Sequence, residues 1–319
     1  MPLTGRDLLS LKDYNTEEIL LILELAAVLK EKQKKGEPHA LLAGKTLAMI
    51  FEKASTRTRV SFEVGMWQLG GTALFLAAQD LQLGRGEPLK DTARTLSRYV
   101  DGIMVRTYAQ EDLEELAFFA SVPVINALTD RFHPCQALAD LLTIKEHFGK
   151  FTDQKLAYIG DGNNVAHSLL LACSAVGLDI VVASPCGYEP EEEIVALARS
   201  RAHPGKKVEI CNDPHAAAEG ATILYTDVWT SMGQEQEAEQ RRSEFLPFQL
   251  NTALLEKADE RAIVLHCLPA HRGEEITDTV IEGEKSYVFD QAENRLHVQK
   301  ALMAMLMGDK KGGVYNWLK

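Results

Sequence analysis

Nine short runs in this chain are predominantly apolar, and most do not alternate apolar with polar residues; this narrows the fold most. In the first half they are Lys45–Phe51, Thr72–Leu76, Gly102–Arg106 and Val122–Asn126. In the second half they are Lys155–Ile159, Asp179–Ala183, Val208–Ile210, Thr222–Tyr225 and Ala262–His266. A strand with one wet face alternates; a continuous apolar run is the mark of a parallel strand covered on both faces. Helical patterns separate the runs, which predicts an α/β fold of parallel sheets flanked by helices. At 319 residues the chain is long for one core and comfortable for two. The break at Phe148-Gly-Lys-Phe-Thr-Asp153 predicts domains over 1–148 and 149–319. Asn15-Thr-Glu-Glu18 has capping-box spacing and opens an amphipathic run to about Lys35. The last helical run, about 293–307, follows all the second-half strands and is expected to pack back on the first domain.

Composition removes several classes of function. No apolar run approaches the roughly 20 residues that span a bilayer, and the start lacks the pattern of a secretory signal. A net charge of −12 speaks against a nucleic-acid partner or an anionic membrane surface. The five cysteines are scattered, with no Cys-x-x-Cys. Neither a disulfide framework nor a zinc site is expected, and the cytoplasm is the expected compartment.

Polar residues gather where the apolar runs end. Ser55-Thr-Arg-Thr-Arg59 stands between a strand and a helical run from Val60 to Leu69. Hydroxyls, free amides and guanidinium groups at a helix start suit a phosphate, although a plain N-cap with surface arginines has the same pattern. Arg106 ends a strand, where open α/β sheets place ligand groups. His133-Pro-Cys-Gln136 offers an imidazole and an amide that suit a carbonyl and an amide ligand, or simple capping and packing. Gly160-Asp-Gly-Asn-Asn-Val165 resembles a dinucleotide turn, but Val165 takes the third glycine position and no acidic residue ends the next strand. A tight turn with Asn164 toward a ligand fits better, and no cofactor is expected. Asp227-Val-Trp-Thr-Ser-Met-Gly233 puts a carboxylate at a strand end, suited to a cationic amine or to a turn. His266-Cys-Leu-Pro269 puts a thiol at another, where a core cysteine is the plainer reading. Arg295, on the last helix, suits either a solvated face or a ligand.

Together and in this order, Phe51-Glu-Lys-Ala-Ser-Thr-Arg-Thr-Arg59, His133-Pro-Cys-Gln136, His266-Cys-Leu-Pro269 and Asp290-Gln-Ala-Glu-Asn-Arg295 resemble the signatures of the carbamoyltransferases. The resemblance runs from about Leu8 to Met307. Asp227 with Ser231-Met-Gly233, and Cys267, resemble the ornithine branch, and no Arg-containing loop matches the aspartate branch. The resemblance implies two parallel-sheet domains facing a cleft, and transfer of a carbamoyl group from carbamoyl phosphate to ornithine. It implies that Ser55, Thr56, Arg57 and Thr58 hold the phosphate, with Gln82 from a neighbouring chain. Arg106, His133, Pro134, Cys135, Gln136, Cys267, Leu268 and Arg295 would form the carbamoyl site. Asn164, Asp227, Ser231 and Met232 would bind ornithine. Arg57, Arg106, His133, Asp227 and Cys267 carry the implied catalysis, with Asp227 and Cys267 both candidates for the proton acceptor. A homotrimer, or a multiple of trimers, is implied. Transfer to putrescine or an acylated ornithine is the rival activity, and a non-catalytic binding protein on the same fold is the rival of another class.

Overall fold

The computed structural model describes residues 3–82, 86–231, 235–309, 313–314 and 317. The chain divides into two compact units, Met1–Leu142 with Glu293–Lys319, and Thr143–Ala292.

The first unit opens with α1 (Thr16–Lys34), whose capping box is formed by Asn15 and Glu18. There follow β1 (Thr46–Phe51), α2 (Thr56–Gln68), β2 (Thr72–Ala77), α3 (Leu89–Leu96), β3 (Gly102–Arg106), α4 (Gln110–Phe119), β4 (Val124–Leu128) and α5 (Pro134–Phe148). The strands form a parallel sheet in the order β2-β1-β3-β4. The chain moves outward from β1 to β2, then returns to the other side of β1 for β3. The strand order therefore reverses between β1 and β3, and the carboxyl ends of such a pair form a ligand crevice. Phe51 and Arg106 are register partners there.

The second unit contains β5 (Lys155–Ile159), α6 (Asn164–Val176), β6 (Asp179–Ala183), α7 (Glu192–Arg201), β7 (Val208–Cys211), α8 (Pro214–Ala218), β8 (Ile223–Thr226), α9 (Ala238–Phe245), α10 (Thr252–Leu255), β9 (Ile263–His266) and α11 (Asp278–Ile281). Its parallel sheet runs β7-β6-β5-β8-β9. Here the order reverses between β5 and β8, where Tyr158 is the partner of Tyr225. Thr226 pairs with His266 on β9, so Asp227 and Cys267 leave neighbouring strands at one level.

All nine apolar runs are strands. β4 begins two residues later than expected, after Pro123, which has no N–H to give a ladder. The expectation of cover on both faces fails for two edge strands: β2, whose Leu74 and Phe75 are 44% and 38% exposed, and β7, whose Glu209 is exposed and whose Ile210 and Cys211 are half-buried. The final helix, α12 (Val288–Met307), starts five residues earlier than expected. From Glu293 onward it belongs to the first unit. There Asn294 accepts from Lys30 Nζ at 2.7 Å, and Lys300 Nζ donates to Gln68 at 2.9 Å. Burial holds the Lys300 ammonium down to about 8. Among the described residues no helix is long and apolar enough to cross a membrane.

Candidate active site

In the first unit, polar side chains converge just past β1 and β3. Ser55, in extended backbone, caps α2, and its Oγ accepts from the Thr58 amide at 3.2 Å. The first turn of α2 holds no acidic residue, so its N-terminal dipole is uncompensated. Thr56 and Arg57 are exposed on that turn, whereas Thr58 is buried. Arg295 donates to Thr58 Oγ1 at 2.9 Å and to Gln136 Oε1 at 2.7 Å. Charge-assisted bonds of this kind contribute about 1.5–3 kcal/mol each. Because Thr58 Oγ1 accepts from Arg295, its own hydrogen is directed elsewhere. Gln136 Nε2 in turn donates to Asp140 at 2.7 Å, which fixes the carboxamide.

Arg106 and His133 are buried beside this group. Burial, followed by the positive charges of Arg295, Arg106 and Arg57, holds the His133 imidazole well below its usual range. A neutral imidazole among three guanidinium groups can donate to a carbonyl oxygen while the cations take an anion. Pro134 opens α5, where its missing N–H costs nothing. The Cys135 thiol points away into the core. It donates to the Asn126 carbonyl at 3.3 Å, and burial pushes it up to about 12. Gln82 is exposed after β2, where its carbonyl accepts from the Glu87 amide.

In the second unit the centre is the buried Asp227 carboxylate. Its Oδ1 accepts from the Val228 amide at 2.8 Å and from Cys267 Sγ at 2.9 Å. Its Oδ2 accepts from Asn163 Nδ2 at 2.8 Å. Asn163 was not among the expected residues. It is the N-cap of α6, and its Oδ1 accepts from the amides of Val165 and Ala166 and from the Tyr158 hydroxyl. An Asn directly before an apolar helical run is the signal that marks it. Asn164 is the first residue of α6 and half-buried, as is Ser231; Met232 lies outside the described residues. Gly162 is packed against its own chain, since a Cβ there would lie 2.2 Å from the Pro190 nitrogen. Burial raises the Asp161 carboxyl to about 7 against the pull of Arg241, which it meets at 3.1 Å.

Leu268, half-buried, holds φ at +56°, a left-handed conformation that costs a residue with a Cβ about 1–2 kcal/mol. Asp227, His266 and Cys267 bring ligand-type atoms within 4.8 Å of one another. Both nitrogens of His266 are already engaged, one by the Leu268 amide and one by Glu275, so the group forms a hydrogen-bond network and does not fit a metal.

Residues 6–146 match the family described as aspartate/ornithine carbamoyltransferase, carbamoyl-P binding domain, and residues 152–306 match the Asp/Orn binding domain of the same family. An ornithine carbamoyltransferase of Anoxybacillus flavithermus is 60% identical over 306 residues, covering 96% of this chain and 98% of that protein. The anabolic ornithine carbamoyltransferase of Pyrococcus furiosus is 59% identical over 310 residues, covering 97% and 98%. A solved structure of ornithine carbamoyltransferase from Pyrococcus furiosus superposes with a TM-score of 0.95 at 58% identity, over 98% of this chain and all of that one.

Proposed function

The chain belongs to the aspartate/ornithine carbamoyltransferase family, and from that premise we infer that it transfers the carbamoyl group of carbamoyl phosphate to the side-chain amine of L-ornithine. The products are L-citrulline and phosphate, and the kinship with an anabolic enzyme supports a place in arginine biosynthesis. The single observation that carries the ornithine assignment is the Asp227–Cys267 pair at 2.9 Å, a buried carboxylate and thiol suited to an amine.

The start of α2, with Ser55, Thr56, Arg57 and Thr58, suits the phosphate by its dipole, hydroxyls and guanidinium group. Arg106 and neutral His133 suit the carbonyl oxygen, where losing one donor costs ~10²–10³ in rate. Arg295 fixes Thr58 and Gln136 on the same side of the first unit. Asp227, with Asn164, Ser231 and Met232, is assigned to ornithine, and Cys267 and Leu268 to the reacting groups. The amine attacks as a neutral nucleophile, and an alkylammonium of pKa about 10.4 makes that cost roughly 4–5 kcal/mol at pH 7. Attack forms the C–N bond, the amine proton leaves toward Asp227 or Cys267, and the C–O bond to phosphate breaks. Arg57 and Arg106 neutralise the departing charge.

The reading extends to assembly and compartment. Exposed Leu74, Phe75 and Val60 around edge strand β2 form an apolar surface of the kind another chain covers. They support association between chains, which the reading takes to be a homotrimer, or a multiple of trimers, in which Gln82 serves the site of a neighbouring chain. All five cysteines are free thiols, which suits the cytoplasm. The test is citrulline formation from carbamoyl phosphate and ornithine, with putrescine and aspartate as control acceptors. Equal or faster carbamoylation of putrescine would overturn the ornithine assignment.

A further inference from the structure

The loop after β9 carries Cys267 and Leu268, and residues outside the site fasten it from below. His266 and Glu275 are both fully buried. The Leu268 amide donates to His266 Nδ1 at 2.9 Å. A ring nitrogen that accepts carries no hydrogen, so the imidazole proton sits on Nε2. Nε2 faces Glu275 Oε1 at 3.1 Å. The same oxygen accepts from the His271 amide, so one carboxylate oxygen joins both ends of the turn 266–271. The His266 amide is held separately by Gln291 Oε1 at 2.9 Å. Glu275 Oε2, by contrast, is buried without a hydrogen bond. That oxygen lies 4.0 Å from His271 Nδ1, so both carboxylate oxygens face the turn 266–271.

We propose that Glu275, acting through His266, is the positioning residue that sets the Cys267–Leu268 loop for carbamoyl transfer, a role that rests on the activity inferred above. The carboxylate selects the His266 tautomer and fixes the plane of its ring. The ring then holds the Leu268 amide, and with it the left-handed backbone at φ +56°. That backbone keeps the Cys267 thiol on Asp227 at 2.9 Å. Without Glu275 the ring turns, Leu268 relaxes toward extended backbone, and the thiol leaves the carboxylate. Glu275 itself is fully buried.

The test compares Glu275→Leu, Glu275→Gln and His266→Asn with wild type, reading kcat and KM for ornithine beside the inhibition constant of inorganic phosphate. Glu275→Leu is expected to lower kcat/KM for ornithine about 10–100-fold, as loss of a group that orients a site residue does. Phosphate inhibition should move by less than about twofold, because its residues lie in the first unit; a purely structural defect would weaken both together. Glu275→Gln keeps an acceptor and should restore kcat/KM to within about threefold of wild type. Should Glu275→Leu not fold, His266→Asn carries the test. Its Oδ1 still accepts from Leu268 but has lost Glu275, and the same selective loss is expected. A folded Glu275→Leu or His266→Asn within about threefold of wild type would overturn the proposal, as would a Gln variant no better than Leu. Wild-type protein that forms no citrulline would refute the inferred activity instead.

Discussion

Three donors point at the two oxygens of Asp227, from Asn163, Val228 and Cys267. Asp227→Asn therefore does more than remove a charge, because its NH2 must face at least one of those donors. Each buried mismatch costs about 1–3 kcal/mol, and kcat/KM for ornithine should fall about 100-fold or more. Phosphate inhibition should hold, and an Asn variant with a tenth of wild-type kcat/KM would sink the role. His133 gives a residue-level prediction about pH. Its imidazole is held below the usual value, so under acid the unfolded chain takes up a proton that the folded one refuses. Stability thus falls as pH drops below about 6.5, by up to about 1.4 kcal/mol per pH unit for this group. In chemical unfolding, the stability advantage of wild type over His133→Asn should shrink from pH 6.5 downward; a constant difference would show that His133 is not held neutral. The residue scale was also where the sequence was least legible. Asn163 and Asn164 are equivalent until the helix start is known to the residue, and Glu275 gives no local signal at all because its contacts with His266 and His271 depend on how the loop folds.

Each group of candidate residues stands where a strand order reverses, between β1 and β3 and between β5 and β8. The strands themselves were legible because parallel sheets demand long apolar stretches, and all nine runs became strands. Their order was not, since apolar periodicity says nothing about which strands pair. The exposure of β2 was hidden for the same reason: its run reads like a central strand, and only its place at the edge makes it half wet. The turn between β5 and α6 shows how an element constrains its residues. Gly162 approaches Glu189 and Pro190 so closely that a Cβ would fall 2.4 and 2.2 Å from backbone atoms, which have no rotamer to yield. Gly162→Ala must push the two segments apart, at about 1–3 kcal/mol. The displaced turn carries Asn163, so the ornithine KM should rise as the unfolding midpoint falls. An Ala variant with wild-type midpoint and KM would mean that the turn is not held by that approach.

At the scale of the whole molecule, the proposed trimer makes the site a property of two chains. Gln82 follows β2 and is exposed, as are Leu74, Phe75 and Val60 nearby in the first unit. In a closed ring of three, each chain offers this edge to the next and receives the edge of the one before. A chain with Arg57→Ala then lacks its own phosphate-binding guanidinium but still lends Gln82 to a neighbour. A chain with Gln82→Ala keeps Arg57 and spoils only the neighbouring site. When the two impaired variants are denatured and refolded together, every mixed ring contains one junction where intact Arg57 meets intact Gln82. Random assembly from equal amounts makes about three-quarters of the rings mixed, each with one of three sites repaired, so about a quarter of wild-type activity should return. Were both residues needed within one chain, no mixture could repair a site. Mixtures shown by native mass measurement to contain hybrid rings, yet no more active than the separate variants, would place Gln82 in the site of its own chain.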